Sequence, residues 1–307
     1  MRRLFHILTV ILTVSCTSNV GSEGRSGWMQ PLPDDMQACM LSIPGAHDAC
    51  TAGVRFPYTL FAQTQALDIK GLWDAGVRSF DIRPSSREDH LGVFHMKADT
   101  HSTFDEVVST LASCLRDNPS EFAVVVMRHE SEADIADNFE SLMGEYMRTL
   151  PEGLAIGFRD DMTLGELRGH ILFLSRSKYD DGPVGAYLEG WPDETVAVNA
   201  EGETATVAVQ DHYDPKGKQD KMDALSSSLE ANASGARWSV SHASAYTGIS
   251  NYVRNARNVN SDTADIIAAG TAKTGIVVMD FAGVDVYKGR KVAGHKLVEA
   301  IIENNFK

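Results

Sequence analysis

Basic residues are in short supply: 28 lysines and arginines stand against 42 aspartates and glutamates, a formal net charge of −14 over 307 residues. This balance argues against unspecific attraction to nucleic acid or to an anionic membrane face, and it leaves any phosphate to be met by a few local cations. Cysteine is rare as well. The four present form no Cys-x-x-Cys and no Cys/His ligand spacing, which argues against structural zinc. The apolar run from Leu4 to Val14 is broken by His6 and Thr9 and falls short of the roughly 20 residues that a spanning helix needs. No repeat of short period is present, which sets a solenoid aside.

That first apolar run is still informative. Arg2 and Arg3 precede it and Ser15-Cys16 follow, a pattern that resembles a bacterial lipoprotein signal in which Cys16 becomes the lipidated first residue. Thr13 stands where such signals more often carry leucine, and the alternative is an ordinary cleaved secretory signal that leaves a secreted protein. Residues 1–16 are therefore expected to be removed or lipidated, 17–30 to form a flexible tether, and 31–307 to form one domain of an exported cell-envelope protein. Cys39, Cys50 and Cys114 remain. A Cys39–Cys50 bridge is conceivable across the intervening turn, and buried free thiols are the other reading.

From residue 37 onward strand-like apolar runs alternate with helix-like stretches. Val77–Arg83, Leu91–Met96, Phe122–Arg128, His170–Ser175, a strand ending at Val209-Gln210-Asp211, Trp238–His242 and Gly275–Asp280 read as strands, together with one before Ser42. Eight strand-to-helix units in a chain of this length predict an α/β fold, a single (β/α)8 barrel of irregular form. The stretch Ser42-Ile43-Pro44-Gly45-Ala46-His47-Asp48 stands out, because its Pro-Gly pair is expected to break the chain and present His47 and Asp48 on an exposed turn.

An active site in such a barrel lies at the C-terminal strand ends. Alternate residues on a strand share a face, so the ends can be tested by parity. Arg83 shares parity with Asp81, His95 with Val93, Arg128 with Val126, Arg176 with Leu174, Asp211 and Tyr213 with Val209, and Asp280 with Val278. Two histidines suit a base and an acid, guanidinium groups suit a phosphate, and carboxylates beside a histidine stabilise its charged form. The set reads as machinery for phosphodiester cleavage without a metal or other cofactor.

These residues resemble bacterial phosphatidylinositol-specific phospholipase C, with its X-type catalytic barrel. The likeness rests on Ser42–Asp48, Gly76-Val77-Arg78-Ser79-Phe80-Asp81-Ile82-Arg83 and Asn118-Pro119-Ser120-Glu121. It continues in Gly169–Arg176, Val209-Gln210-Asp211-His212-Tyr213 and Val278-Met279-Asp280-Phe281. It implies cleavage of phosphatidylinositol, or of a glycosylphosphatidylinositol, to 1D-myo-inositol 1,2-cyclic phosphate and diacylglycerol at a membrane surface. His47 is implied as general base with Asp280 behind it, Arg83 with Asp48 as the phosphate stabiliser, and His95, supported by Asp81, as general acid. Arg128, Arg176, Asp211 and Tyr213 are implied as readers of the inositol ring. No metal, nucleic acid or obligate protein partner is implied.

The sequence departs from that pattern in places. Met96-Lys97 follow His95 where a glycine is usual, His101 lies near as a rival acid, and Arg128 replaces a more usual lysine. The rival readings are a metal-dependent glycerophosphodiester-type phosphodiesterase and a non-catalytic, lipid-anchored module that binds inositol glycolipids. Trp28, Phe56, Tyr58 and Phe61 are candidates for an aromatic rim that dips into a bilayer, with packing beneath the helices as the alternative.

Overall fold

The computed structural model describes residues 22–191, 195–246 and 252–307. Cys16, the expected signal and the first part of the expected tether lie outside the described residues. The rest of that tether is ordered structure, a correction to its expected end at residue 30. Ser22–Gly27 is a 3-10 turn, and Trp28 and Met29 are buried.

Nine strands close a barrel: β1 (Ser42–Ala46), β2 (Ser79–Ile82), β3 (Ala123–Met127), β4 (Ile171–Ser175), β5 (Ala186–Glu189), β6 (Thr195–Asn199), β7 (Thr204–Gln210), β8 (Ser239–His242) and β9 (Gly275–Met279). Their spatial order is β3-β2-β1-β9-β8-β7-β6-β5-β4, and pairing of β3 with β4 completes the ring. The strands are parallel except at β5–β6 and β6–β7, which are antiparallel. The expected irregular α/β barrel is thus present. Continuous apolar strands such as β3 and β9 are buried along their whole length, as strands covered on both faces must be.

Three expected strands differ. The one expected before Ser42 is a 3-10 turn, Ala38–Met40, and the strand is Ser42–Ala46 itself. The other two differ for one reason. Leu91–His95 is not a barrel strand but the middle of an antiparallel ribbon with Pro84–Ser86 and Ala98–Thr103. Where a single strand was expected before Asp211, the hairpin β6–β7 stands instead. In both places the connection is too short to hold a crossover helix, and without one a following strand can only pair antiparallel.

Pro44 and Gly45 do not break the chain; they lie inside β1. The Pro44 carbonyl accepts from the Arg78 amide at 3.0 Å, so the missing Pro44 N–H faces the same side, below the start of β2, where no ladder bond is required. Gly45 allows β1 to approach β9 closely: a Cβ there would sit 3.1 Å from the Val278 side chain. Helices follow the expected logic. Thr103 and Glu106 form a reciprocal capping box at the start of Phe104–Asp117, whose Phe104, Val107, Val108 and Leu111 face the core.

The segment before β1 crosses the end of the barrel where the strands begin. Arg78, just before β2, donates to the carbonyls of Arg25 and Ser26 and pairs with buried Glu121, just before β3. Glu121 also accepts from the Met29 amide at 3.0 Å, and the Trp28 indole donates to the Gly76 carbonyl at 3.0 Å. Arg168, shortly before β4, holds the carbonyls of Met29 and Leu32. This end is the barrel's floor, and the strand C-termini form its mouth.

Candidate active site

His47 follows β1 directly and is buried, not exposed on a turn as expected, because the loops around the mouth fold over it. Gln65 fixes its backbone. The amide of that side chain donates to the carbonyls of His47 (2.8 Å) and Met279 (2.9 Å), and its oxygen accepts from Ala282 (3.0 Å). One side chain thus ties the loop after β1 to the loop after β9. Thr64 adds a hydroxyl bond to the His47 carbonyl at 3.0 Å. Asp48 takes a left-handed backbone conformation, φ 44°, which an aspartate tolerates better than most residues and which turns its carboxylate back into the mouth.

His47 Nδ1 lies 2.8 Å from Asp280 Oδ1. Its Nε2 lies 3.1 Å from Arg83 Nη2 and 3.2 Å from Asp48 Oδ2, a donor and an acceptor that favour opposite protonation states. Asp48 Oδ2 is also 3.3 Å from His95 Nε2, so one carboxylate oxygen bridges the two imidazoles. Their ring centroids are 6.3 Å apart. His95 Nδ1 donates to the Ala62 carbonyl at 2.8 Å, which fixes that ring, and the Tyr252 hydroxyl stands 3.4 Å from its Nε2. His101 faces Asp99 on the surface at 3.5 Å, so of the two candidate acids it is His95 that joins His47.

Arg83 is gripped on several sides. Its Nε is 2.6 Å from Asp48 Oδ1, Nη2 is 3.2 Å from Asp81, and Nη1 is 3.7 Å from Glu130. Asp81 therefore serves Arg83 and the Asp48 amide, in place of the expected support for His95. The three residues His47, Asp48 and Asp81 could together hold a metal ion. The guanidinium already supplies positive charge to both carboxylates, so an added divalent cation would meet repulsion from Arg83.

Burial disfavours charge here, and the carboxylates overrule it at one histidine only. For His47, Asp48 and the Asp280 hydrogen bond outweigh burial and lift the imidazole to about 9. His95 is held below its ordinary value by burial, which Asp48 does not offset against the charges of Arg83 and His47. The Asp280 carboxyl is raised by burial despite His47. Asp81 is held far below the usual range because Arg83 and then His47 overcome burial, and Arg83 is raised by Asp48 and Asp81.

The four expected ring-reading residues separate into two kinds. Arg176 and Asp211 are joined through Trp191: the guanidinium lies 4.2 Å from the indole ring centre, and the indole N–H donates to Asp211 at 3.0 Å. Burial lowers Arg176 to about 10, and Asp211 falls to about 2 despite burial, chiefly through His242. Arg128 and Tyr213 are exposed on the rim, Tyr213 stacked on Tyr246 with centroids 5.8 Å apart.

His242 was missed. It ends β8, its ring centroid is 6.2 Å from that of His47, and burial pulls it to about 4 beside Asp211. The signal was available, since His242 follows Val240 at the parity that singled out the other strand ends. Gln65 and Trp191 lie on loops with no strand row to flag them, whereas Glu130 continues the parity of Val126 and Arg128 past the strand end. Cys39, Cys50 and Cys114 are buried free thiols, so the conceivable Cys39–Cys50 bridge is absent. Trp28 packs into the core, while Phe56, Tyr58 and Phe61, with Leu60, are exposed on the loop after β1, at the mouth.

No protein-family model matches the chain. A 1-phosphatidylinositol phosphodiesterase of Staphylococcus aureus (strain Newman) is 27% identical over 283 residues, covering 85% of this chain and 90% of that protein. One of Listeria monocytogenes serovar 1/2a is 31% identical over 165 residues, 49% of this chain and 48% of that protein. Among solved structures, a pentafluoro-Phe-containing phosphatidylinositol-specific phospholipase C from Staphylococcus aureus superposes with a TM-score of 0.76 at 23% identity, covering 91% of this chain and 98% of that one. The Listeria monocytogenes phospholipase C gives 0.71 at 22% identity, with 91% and 98% covered. The likeness carried by the motifs therefore extends over most of the chain and to its fold.

Proposed function

We propose that the chain is a phosphatidylinositol-specific phospholipase C that cleaves phosphatidylinositol to 1D-myo-inositol 1,2-cyclic phosphate and diacylglycerol without a metal. The observation that carries this reading is the pair of buried imidazoles bridged by Asp48 Oδ2, with the Arg83 guanidinium beside them. His47 Nε2 takes the proton of the inositol 2-hydroxyl, and that oxygen attacks phosphorus. The bond from phosphorus to the glycerol oxygen breaks, and His95 Nε2 gives its proton to the departing oxygen. Arg83 stabilises the charge that grows on the phosphoryl oxygens, and Asp280 orients His47. Arg128, Arg176, Asp211 and Tyr213 read the ring, with Trp191 and His242 completing that side.

This mechanism needs one proton on the histidine pair, on His95, whereas the resting site favours it on His47. Both forms hold the same number of protons, so the pair acts as a unit and substrate binding need only move the proton across Asp48.

The exposed loop Phe56, Tyr58, Leu60 and Phe61 forms an apolar lip suited to a bilayer surface. The catalytic domain takes in the described segment from Ser22 onward, and Cys16 is its lipid anchor at the cell envelope.

The deciding experiment is phosphorus NMR of the protein with phosphatidylinositol vesicles in excess chelator, beside His47→Ala. A cyclic phosphodiester signal from the wild type, reduced about 10²–10⁴-fold in the variant, is expected. Product that appears only on adding calcium overturns the metal-free reading, and no product under either condition favours the binding module.

A further inference from the structure

The acidic excess of the chain is not spread evenly over the mouth. Residues 49–67, which hold the apolar lip, contain no aspartate or glutamate and one arginine, Arg55. Residues 281–293, the loop after Asp280, contain Lys288, Arg290 and Lys291 against a single acid, Asp285. That acid is engaged locally, its Oδ1 accepting from the Lys296 amide at 3.0 Å. The two loops are fastened together. The Phe281 amide donates to the Thr64 carbonyl at 2.7 Å, the Tyr287 hydroxyl donates to Gln63 Oε1, and Phe281 and Tyr287 pack with centroids 4.6 Å apart. Gln63 is two residues from Phe61, where the lip ends.

Within the second loop, Val286–Tyr287 pairs antiparallel with Arg290–Lys291, Val286 opposite Lys291. Opposed residues share a face, so with Tyr287 turned to Gln63, Val286 and Lys291 point outward together. Val286 is 62% exposed. Alongside runs the helix Tyr252–Ala269, whose Asn260 donates to the Val292 carbonyl at 3.0 Å and whose Arg257, one turn earlier, is exposed. Among the described residues none of Arg55, Arg257, Lys288, Arg290 and Lys291 forms an ion pair, whereas nearby Lys218 and Lys296 are matched by Asp262 and Asp265. An apolar edge flanked by unmatched cations complements a bilayer of negative surface charge.

We propose that the hairpin Val286–Lys291 docks on anionic phospholipid headgroups, so that the mouth settles on negatively charged bilayers in preference to neutral ones. The inference deepens the phospholipase reading and takes from it only that the mouth meets a bilayer. A net charge of −14 describes the far field and repels the rest of the molecule from such a surface. The hairpin therefore also selects which side of the barrel approaches.

The test is sedimentation of the full chain, with Cys16→Ser in every form so that no lipid anchors it, with vesicles of phosphatidylcholine alone or containing phosphatidylserine. The serine headgroup has no hydroxyl to attack phosphorus, so binding is read without turnover. The unaltered hairpin is expected to favour the phosphatidylserine vesicles at least tenfold at low salt, and to lose that preference as salt screens it. Each cation near the surface contributes about fivefold, so Lys288→Gln, Arg290→Gln and Lys291→Gln together should weaken that binding about a hundredfold and leave phosphatidylcholine binding unchanged. Arg116→Gln, Arg148→Gln and Arg159→Gln lower the net charge equally on exposed segments before β3 and β4, at the floor, and should retain the preference. No preference in the unaltered protein, a preference that survives in the hairpin variant, or an equal loss in the floor variant overturns the proposal. Failure to cleave phosphatidylinositol in detergent micelles, with the preference intact, overturns the phospholipase reading instead and leaves the docking element standing.

Discussion

Asp280 and Asp48 hold the proton of the histidine pair from two sides. The pair keeps a single proton between the depressed value of His95 and the value of about 9 reached by His47. Below that window a second proton removes the base, and above it the last proton is lost and with it the acid. The profile of kcat/KM against pH is therefore expected to be bell-shaped with an alkaline limb near 9. In Asp280→Asn one carboxylate that stabilises the imidazolium is gone, the pair binds its proton less tightly, and the alkaline limb moves to lower pH by about one pH unit. A limb that stays in place, or that moves upward, would sink this account of the site. Charged residues of this kind were legible in sequence wherever a strand ended under an apolar row. The roles were less so: Asp81 lies two residues before Arg83 on one strand face, and nothing in the order of residues tells that its carboxylate serves the guanidinium rather than His95.

At the scale of elements, the buried Arg78–Glu121 pair joins the foot of β2, the foot of β3 and the N-terminal segment. Its Nε–Oε2 distance is 2.9 Å, and the guanidinium also lies 3.8 Å from the Trp73 ring centre. Removing one partner leaves the other charge buried alone. Arg78→Met is expected to cost about 3–5 kcal/mol in urea unfolding, and addition of Glu121→Gln should recover part of that loss. A double variant less stable than the single one would contradict the pairing. Most barrel strands were readable as apolar runs between turn signals. The ribbon that carries His95 reads as a barrel strand in sequence because Leu91–His95 has the same apolar pattern. What separates the two is the length of the connection, which decides between parallel and antiparallel pairing and is invisible to periodicity.

For the whole molecule, the lip offers the simplest test of how the barrel meets a bilayer. Phe56 is 79% exposed and Leu60 57%, and neither belongs to the site. Each side chain fully buried in lipid contributes about 1.5–3 kcal/mol. Phe56→Ser and Leu60→Ser are each expected to weaken sedimentation with phosphatidylinositol vesicles about tenfold or more, with kcat on a monomeric water-soluble substrate unchanged. Equal vesicle binding by the variants would place the lipid contact elsewhere.

The barrel closes between its first and last strands: Ser42 pairs with Gly275, and the bond from His47 to Asp280 joins residues 233 positions apart. Contacts so distant along the chain slow folding, because their loop-closure entropy is met before the contact rewards it. The histidine pair is consequently incomplete in every partly folded form that lacks β9. On the proposed mechanism a chain without β9 has no Asp280 carboxylate behind His47, so the base is complete only after the C-terminal strand has docked.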